Sequence, residues 1–322
     1  MNNVLVFGGS GFIGSHLVPA LCRQGYQVTI ADIQQPQSAL TDHISFKYCD
    51  VRLPIPADLT GRPDLVINLA AIAREPGYPD HEYYETNVKG AENITHYCEV
   101  AGVNEIWFTS SMSIYGPSET PCREDTPANP STAYGKSKVE AERIHMEWFG
   151  RTQDRRLIIT RPAVIFGARE KGNFTRLANS LKRGFFVYPG RKDTIKACGY
   201  VEDLVDSLFF IYRQPEAKIL YNFSYPDPCT LEQICNAFHQ VGHLPRPLGK
   251  IPFPIMLFTA KVFERLNSMG LPNNIHPLRM YKLVRSTNIH PTELLRRGYN
   301  FPTDLVQGLR RWYDDNPVGQ FV

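Results

Sequence analysis

The sequence has no metal-binding signature: its seven cysteines include no C-x-x-C pair and its nine histidines no H-E-x-x-H. An odd set of cysteines without such spacing reads as reduced thiols, and no metal is expected. There is no basic tract either, since 35 Lys and Arg against 32 Asp and Glu leave a formal charge of +3. That balance argues against a nucleic-acid partner, although scattered cations suit an anionic diphosphate. Long hydrophobic runs are missing too. The most apolar stretch, Ile251 to Phe263, is short and is interrupted by Lys261, with Glu264 just beyond it. It cannot span a bilayer, and it reads as a helix of a second lobe or part of a substrate lid, with an interfacial membrane helix as the weaker reading. Internal repeats, low-complexity runs and flexible linkers are absent. The first strand pattern begins by Val4 and leaves no space for a secretory leader, so a cytoplasmic location is expected.

At 322 residues and 43% apolar, the chain can bury a large core and exceeds the size at which one core splits into two lobes. The run GGSGFIG, Gly8 to Gly14, follows the apolar Val4 to Phe7 and precedes a helix pattern from Phe12 to Leu21. That strand-turn-helix context is what dinucleotide binding requires. Gly8 permits the tight turn, Gly11 lets the backbone approach a pyrophosphate, and Gly14 lets helix pack on strand. The helix, opening with Phe12 and Ile13, points its N-terminal amides at the phosphates. Asp32 follows Val28 to Ala31, at the tip of a second strand, where a carboxylate accepts hydrogen bonds from the adenosine ribose and repels a 2′-phosphate. The expected cofactor is therefore NAD. Strands and helices alternate as far as Ile159, which predicts an α/β fold with a doubly wound, parallel Rossmann sheet. After Gly167 the segments shorten and proline becomes frequent, as expected of a smaller C-terminal substrate lobe.

The spacing Gly-x-x-Gly-x-x-Gly resembles the extended short-chain dehydrogenase/reductase family, and later segments match it. Ser111 lies in FTSSMSIYG, and Tyr134-Gly-Lys-Ser-Lys138 opens a second helix pattern. The resemblance implies a catalytic group of Ser111, Tyr134 and Lys138. Residues four apart share a helix face, so the Lys138 ammonium can lie beside the Tyr134 phenol. A phenol of pKa near roughly 10 is a poor base at neutral pH. A neighbouring cation, joined by oxidised nicotinamide, favours phenolate. Tyr134 would then take the proton from a substrate hydroxyl as hydride leaves the same carbon, with Ser111 holding the oxygen and Lys138 also holding the nicotinamide ribose. The family positions further imply that Asp50 with Val51 meets the adenine, that Leu69, Ala70 and Ala71 leave room for the dinucleotide, and that Asn87, in Asn-Val-Lys-Gly, serves helix geometry near the site. The second lobe is expected to be non-contiguous: residues 1–168 and about 199–224 form the NAD-binding domain, and about 169–198 and 225–322 the substrate lobe. Helix patterns at Tyr84 to Val100 and Ala133 to Phe149 match the family's dimer helices, so a homodimer is expected through Ile94, Tyr97, Ile144 and Trp148.

Arg161 to Gly167, Gly172-Asn173-Phe174 and Tyr200 to Leu204 resemble segments of nucleotide-sugar epimerases and dehydratases, of the UDP-galactose 4-epimerase kind. That likeness implies a nucleotide-diphosphate sugar bound by Ser111, Ser113, Asn173, Lys182, Lys196 and Arg279. Lys196 stands where many 4-epimerases carry Arg, and so keeps the charge without the bidentate fork. The 4,6-dehydratases carry an Asp-Glu pair where this chain has Ser113 and Ile114, and the 3,5-epimerases a Cys where it has Ser113. Those chemistries lack their acids and bases here. A 4-epimerase acting through a transient 4-keto sugar is the leading expectation. The alternatives are a 4-ketoreductase of a nucleotide-linked deoxysugar, a dehydrogenase of another small alcohol, and a non-catalytic NAD-sensing regulator.

Overall fold

The computed structural model describes residues 3–37, 40–75, 77–255, 284–316 and 320–321. A seven-stranded sheet forms its centre. Seven strands build it: β1 (Asn3–Phe7), β2 (Gln27–Asp32), β3 (Ile44–Tyr48), β4 (Leu65–Asn68), β5 (Glu105–Thr109), β7 (Arg156–Pro162) and β11 (Lys218–Phe223). They run in the order β3-β2-β1-β4-β5-β7-β11, every neighbouring pair parallel. β1 and β4 read as continuous apolar runs because both faces of the sheet are covered.

On one face, α1 (Phe12–Arg23) and α6 (Val201–Tyr212) bury Leu17, Leu21, Leu204 and Leu208 against Val4, Val6 and Ile30. On the other, α3 (Lys89–Ala101) and α4 (Ala133–Gly150) bury Ile94, Tyr97, Ile144 and Trp148 against Leu5, Phe7 and Phe108. The helix expected from Tyr84 is divided. A four-residue turn α2 (Asp80–Tyr83) leads into a π-helical segment, Tyr84–Val88, before α3.

A further apolar cluster joins α5 (Asn173–Lys182), α7 (Leu231–Gly242) and α8 (Leu305–Asp314) through Phe174, Phe238 and Trp312, with Phe166 and Tyr200 beneath them. Short parallel pairs tie the rest together. β6 (Ser118–Cys122) pairs with β13 (Thr287–Ile289), β8 (Val164–Phe166) with β10 (Cys198–Tyr200), and β9 (Tyr188–Pro189) with β12 (Lys250–Ile251). Between β2 and β4 the connections leave β1 in opposite directions, and such a reversal opens a crevice at the carboxyl ends of the strands.

Candidate active site

At that crevice the chain turns sharply out of β1. Gly8 has φ +75°, and a Cβ there would stand 2.6 Å from the Ala70 nitrogen, so only glycine fits against the loop after β4. A Cβ on Gly11 would meet nothing closer than the Gly8 carbonyl oxygen at 3.3 Å, which leaves that face of the turn open to a ligand. At Gly14 a Cβ would collide with the Gly9 carbonyl. Its partner is therefore the turn itself, where a strand was expected. No side chain caps the start of α1, so the amides following Gly11, at Phe12, Ile13 and Gly14, are available to an anion. Asp32 ends β2 and accepts from the Ser10 amide at 3.0 Å and the Gln34 amide at 3.1 Å. Its carboxylate is thereby fixed beside the glycine turn. These groups fit a dinucleotide: a cradle that a Cβ would fill, free helix amides and an acid at the second strand tip.

Asp50 is more occupied than expected. Arg52 donates to it from its backbone amide at 3.0 Å and from Nη2 at 2.6 Å, and the Arg52 hydrogen bonds hold the carboxyl below its ordinary range. Val51 is buried against Gly90, whose Cβ would stand 2.9 Å from its Cγ2. Asn68 sets the loop Leu69 to Ala71, its Oδ1 accepting the Ala70 amide at 3.1 Å. Asn87, in the π-helical segment, bridges two walls of the site. Its Oδ1 accepts the Ile72 amide at 2.9 Å, and its Nδ2 donates to Ser137 Oγ at 2.9 Å. Ser137 in turn donates to the Tyr134 carbonyl oxygen at 2.8 Å. A π-turn at such a junction widens the helix where a side chain must reach across.

The catalytic candidates converge. Ser111 begins a 3-10 turn after β5 and accepts the Ser113 amide at 3.1 Å. Thr132 caps α4, and the helix carries Tyr134 and Lys138 on one buried face, 8% and 2% exposed. Burial pushes the Tyr134 phenol up to about 12, and a hydrogen bond with Ser111 opposes the shift. The Lys138 ammonium donates to the Thr109 carbonyl oxygen at 2.7 Å and lies 4.7 Å from the Phe108 ring centre, and burial draws its pKa down to about 7.

His145, one helix face further along α4, stacks on Phe108 with centroids 4.0 Å apart. Its Nδ1 lies 2.7 Å from the Ala141 carbonyl oxygen and its Nε2 3.3 Å from Asn68 Nδ2. A neutral ring that donates from Nδ1 and accepts at Nε2 satisfies both. Burial lowers its pKa to about 4. Asn68 and His145 thus join the cofactor loop to the seat of Lys138. Nothing in the local sequence pattern marks this His, which occupies an ordinary core position of the helix.

The substrate candidates are dispersed. Ser113 is half-buried beside Ser111. Asn173 opens α5, where its Oδ1 accepts from Arg176 at 2.8 Å. That helix start already has a carboxylate that sequence reasoning missed: Glu170 accepts the Thr175 amide at 2.8 Å. Lys182 is the last residue of α5, exposed and about 14 Å along the axis from Asn173, so the two do not meet. Lys196 is half-buried, and its Nζ donates to the Arg285 carbonyl oxygen at 2.7 Å. Burial lowers its pKa to about 8, with Glu119 opposing the shift. Arg279 lies outside the described residues, as does most of the apolar stretch that begins at Ile251. Arg161 serves the scaffold: it makes a bidentate pair with Glu142 at 2.9 and 2.7 Å and donates to Tyr115 Oη at 2.7 Å. The four residues expected at a dimer interface, Ile94, Tyr97, Ile144 and Trp148, are all buried inside the chain. No His, Cys, Asp and Glu cluster suited to a metal occurs among the described residues.

Known proteins share this architecture over the full chain. A UDP-glucuronic acid 4-epimerase from Bacillus cereus, solved in complex with NAD, superposes with a TM-score of 0.77 at 19% identity, covering 97% of each chain. A UDP-N-acetylglucosamine 4-epimerase from Methanobrevibacter ruminantium M1 gives 0.78 at 18%, over 97% of this chain and 96% of that one. In sequence, the chain is 30% identical over 315 residues to an N-acetyl-alpha-D-glucosaminyl-diphospho-ditrans,octacis-undecaprenol 4-epimerase of Escherichia coli O157:H7, covering 96% of this chain and 94% of that protein. It is 32% identical over 205 residues to a UDP-glucose 4-epimerase of Neisseria meningitidis serogroup A, covering 58% and 60%. Residues 4–223, from β1 through β11, match the family model, and the chain belongs to the NAD dependent epimerase/dehydratase family.

Proposed function

We propose that this enzyme inverts carbon 4 of a nucleotide-diphosphate sugar through a transient 4-keto sugar, with Tyr134 as acid/base. The observation that carries the reading is the buried Tyr134 phenol beside the buried Ser111, with Ser113 and Ile114 following in the same turn, where they offer no carboxylate or thiol for elimination or for epimerisation beside the keto group. Bound NAD supplies reversible hydride transfer at that carbon. The chain holds it through Gly8, Gly11, the α1 amides and Asp32. Tyr134 moves the hydroxyl proton, Ser111 fixes the oxygen, and Lys138 contacts the ribose and adds positive charge. Asn173 and Lys196 contact the diphosphate.

The polyprenyl-diphosphate sugar named for the Escherichia coli relative is the second reading of the carrier, favoured by a match that runs the length of both chains. Incubation with UDP-, GDP-, CDP- and dTDP-sugars and with undecaprenyl-diphosphate N-acetylglucosamine, followed by chromatography of the released sugars, separates the two. Conversion confined to one carrier identifies it, and conversion of none removes the epimerase reading.

Three subsidiary readings go with this. The nucleotide lobe comprises residues 1–168 and 199–224, supported by the place of β11 in the main sheet. All seven cysteines are free, which supports a cytoplasmic location; no described helix is long and apolar enough to cross a membrane. A homodimer would use the outward faces of α3 and α4, where Lys89, Glu92, Arg143 and Glu147 stand exposed, and light scattering at micromolar concentration tests it.

A further inference from the structure

We propose that the surface carrying Phe185 and Leu248, with Arg183, Arg246 and Lys250 around them, docks on an anionic lipid bilayer. The two apolar side chains are 81% and 70% exposed. Two chain segments bring them together. β9 and β12 pair in parallel, and beside them the Leu248 amide donates to the Phe186 carbonyl oxygen at 2.9 Å and the Tyr188 amide to that of Gly249 at 2.7 Å. Phe185 and Leu248 therefore occupy neighbouring backbone positions.

Their exposure has a structural cause. Phe186 and Tyr188 pack inward and meet edge to face at 6.0 Å, so the residue before Phe186 points the other way, as alternation along an extended segment requires. Isolated apolar residues on a surface need no explanation, whereas several on adjoining segments mark a contact surface. Pro245, Pro247, Pro252 and Pro254 restrict the backbone of the second segment, which lowers the freedom lost there on docking.

Charge selects the partner. Residues 182–190 and 243–255 contain no Asp or Glu. Arg183, Arg246 and Lys250 are exposed, and none of them pairs with a described acid. The neighbouring acid on α7, Glu232, is held by Lys192 at 2.7 Å. Cations that meet no described acid, around exposed Phe and Leu, match a bilayer of acidic lipid headgroups, where the apolar side chains enter the acyl boundary and the cations stay at the phosphates. This inference is independent of which carrier bears the sugar, and its test uses no sugar.

The full chain is sedimented with vesicles of phosphatidylcholine alone and of phosphatidylcholine mixed with phosphatidylglycerol. Binding to the mixed vesicles at about 0.15 M salt is expected, weakening as salt rises, with little binding to phosphatidylcholine alone. Phe185→Ser/Leu248→Ser should lower partitioning by about tenfold or more. Arg246→Gln/Lys250→Gln should lower it and flatten its salt dependence. Circular dichroism and NAD binding confirm that each variant is folded. Absence of binding to the anionic vesicles overturns the proposal, and so does equal binding by wild type and both variants. A fall in the oligomeric mass of Phe185→Ser/Leu248→Ser without loss of vesicle binding also overturns it, because the patch would then be a contact between copies of the chain.

Discussion

The Lys138 ammonium donates to the Thr109 carbonyl oxygen at 2.7 Å, which ties α4 to the end of β5 two residues before Ser111. The lysine is thus held in place at the site, with burial drawing its pKa down to about 7, while Tyr134 relies on Ser111 to offset the effect of its burial. The two residues should fail differently. Tyr134→Phe should lower turnover by about 10² to 10⁴ with folding and NAD affinity preserved. Lys138→Met should lower both turnover and NAD affinity. Steady-state rates and cofactor titration of both variants check this, and Phe turnover within threefold of wild type, roughly 0.7 kcal/mol, would contradict the acid/base role.

His145 makes acid stability informative. Burial holds its pKa near about 4, below the ordinary 6.5, so the unfolded chain takes up a proton before the native chain does. The contribution to stability is complete above about 6.5 and is lost as pH falls toward about 4. Urea denaturation between those limits should show a decline that His145→Gln flattens. An unchanged slope in the variant would show that another group controls this limb.

Glu142 and Arg161 form a buried bidentate pair, their side chains 11% and 10% exposed. Removing one partner strands the other charge, so Arg161→Met should cost about 3–5 kcal/mol of stability. The double variant Arg161→Met/Glu142→Leu should recover much of that loss. Denaturant midpoints of the three proteins test the coupling.

Asp32 accepts from Ser10 and Gln34 and stands at the tip of β2. Asp32→Ala should weaken NADH binding and reduce the preference over NADPH, since both the ribose acceptor and the repulsion of a 2′-phosphate disappear. Fluorescence titration with the two cofactors measures the change. A wild type that binds NADPH more tightly than NADH would contradict the assignment.

The parallel sheet was legible because β1, β4 and β7 are buried on both faces and read as apolar runs. GGSGFIG and Tyr134-to-Lys138 were legible because their chemistry lies within a few adjacent residues. Long-range pairings were not. β6 meets β13 across well over a hundred residues, and neither strand alternates clearly. The Asn68–His145–Phe108 arrangement joins three elements through single side chains, each ordinary in its own segment. The expected dimer contacts failed for a related reason: periodicity finds the apolar face of α3 and α4, and that face packs on their own sheet. Lys182 was misplaced because nearness in sequence to Asn173 becomes about 14 Å once α5 is wound.

Inversion at carbon 4 with reversible hydride transfer is the central claim, and a substrate deuterated at that carbon tests it directly. The accepted sugar diphosphate, labelled at carbon 4, is incubated with the enzyme without added cofactor, and the sugars are followed by proton NMR with absorbance recorded for NADH. The account predicts that the 4-epimer appears with its deuterium retained and with no net formation of NADH. Loss of the label to solvent, or product formed only in proportion to added reduced cofactor, would contradict it.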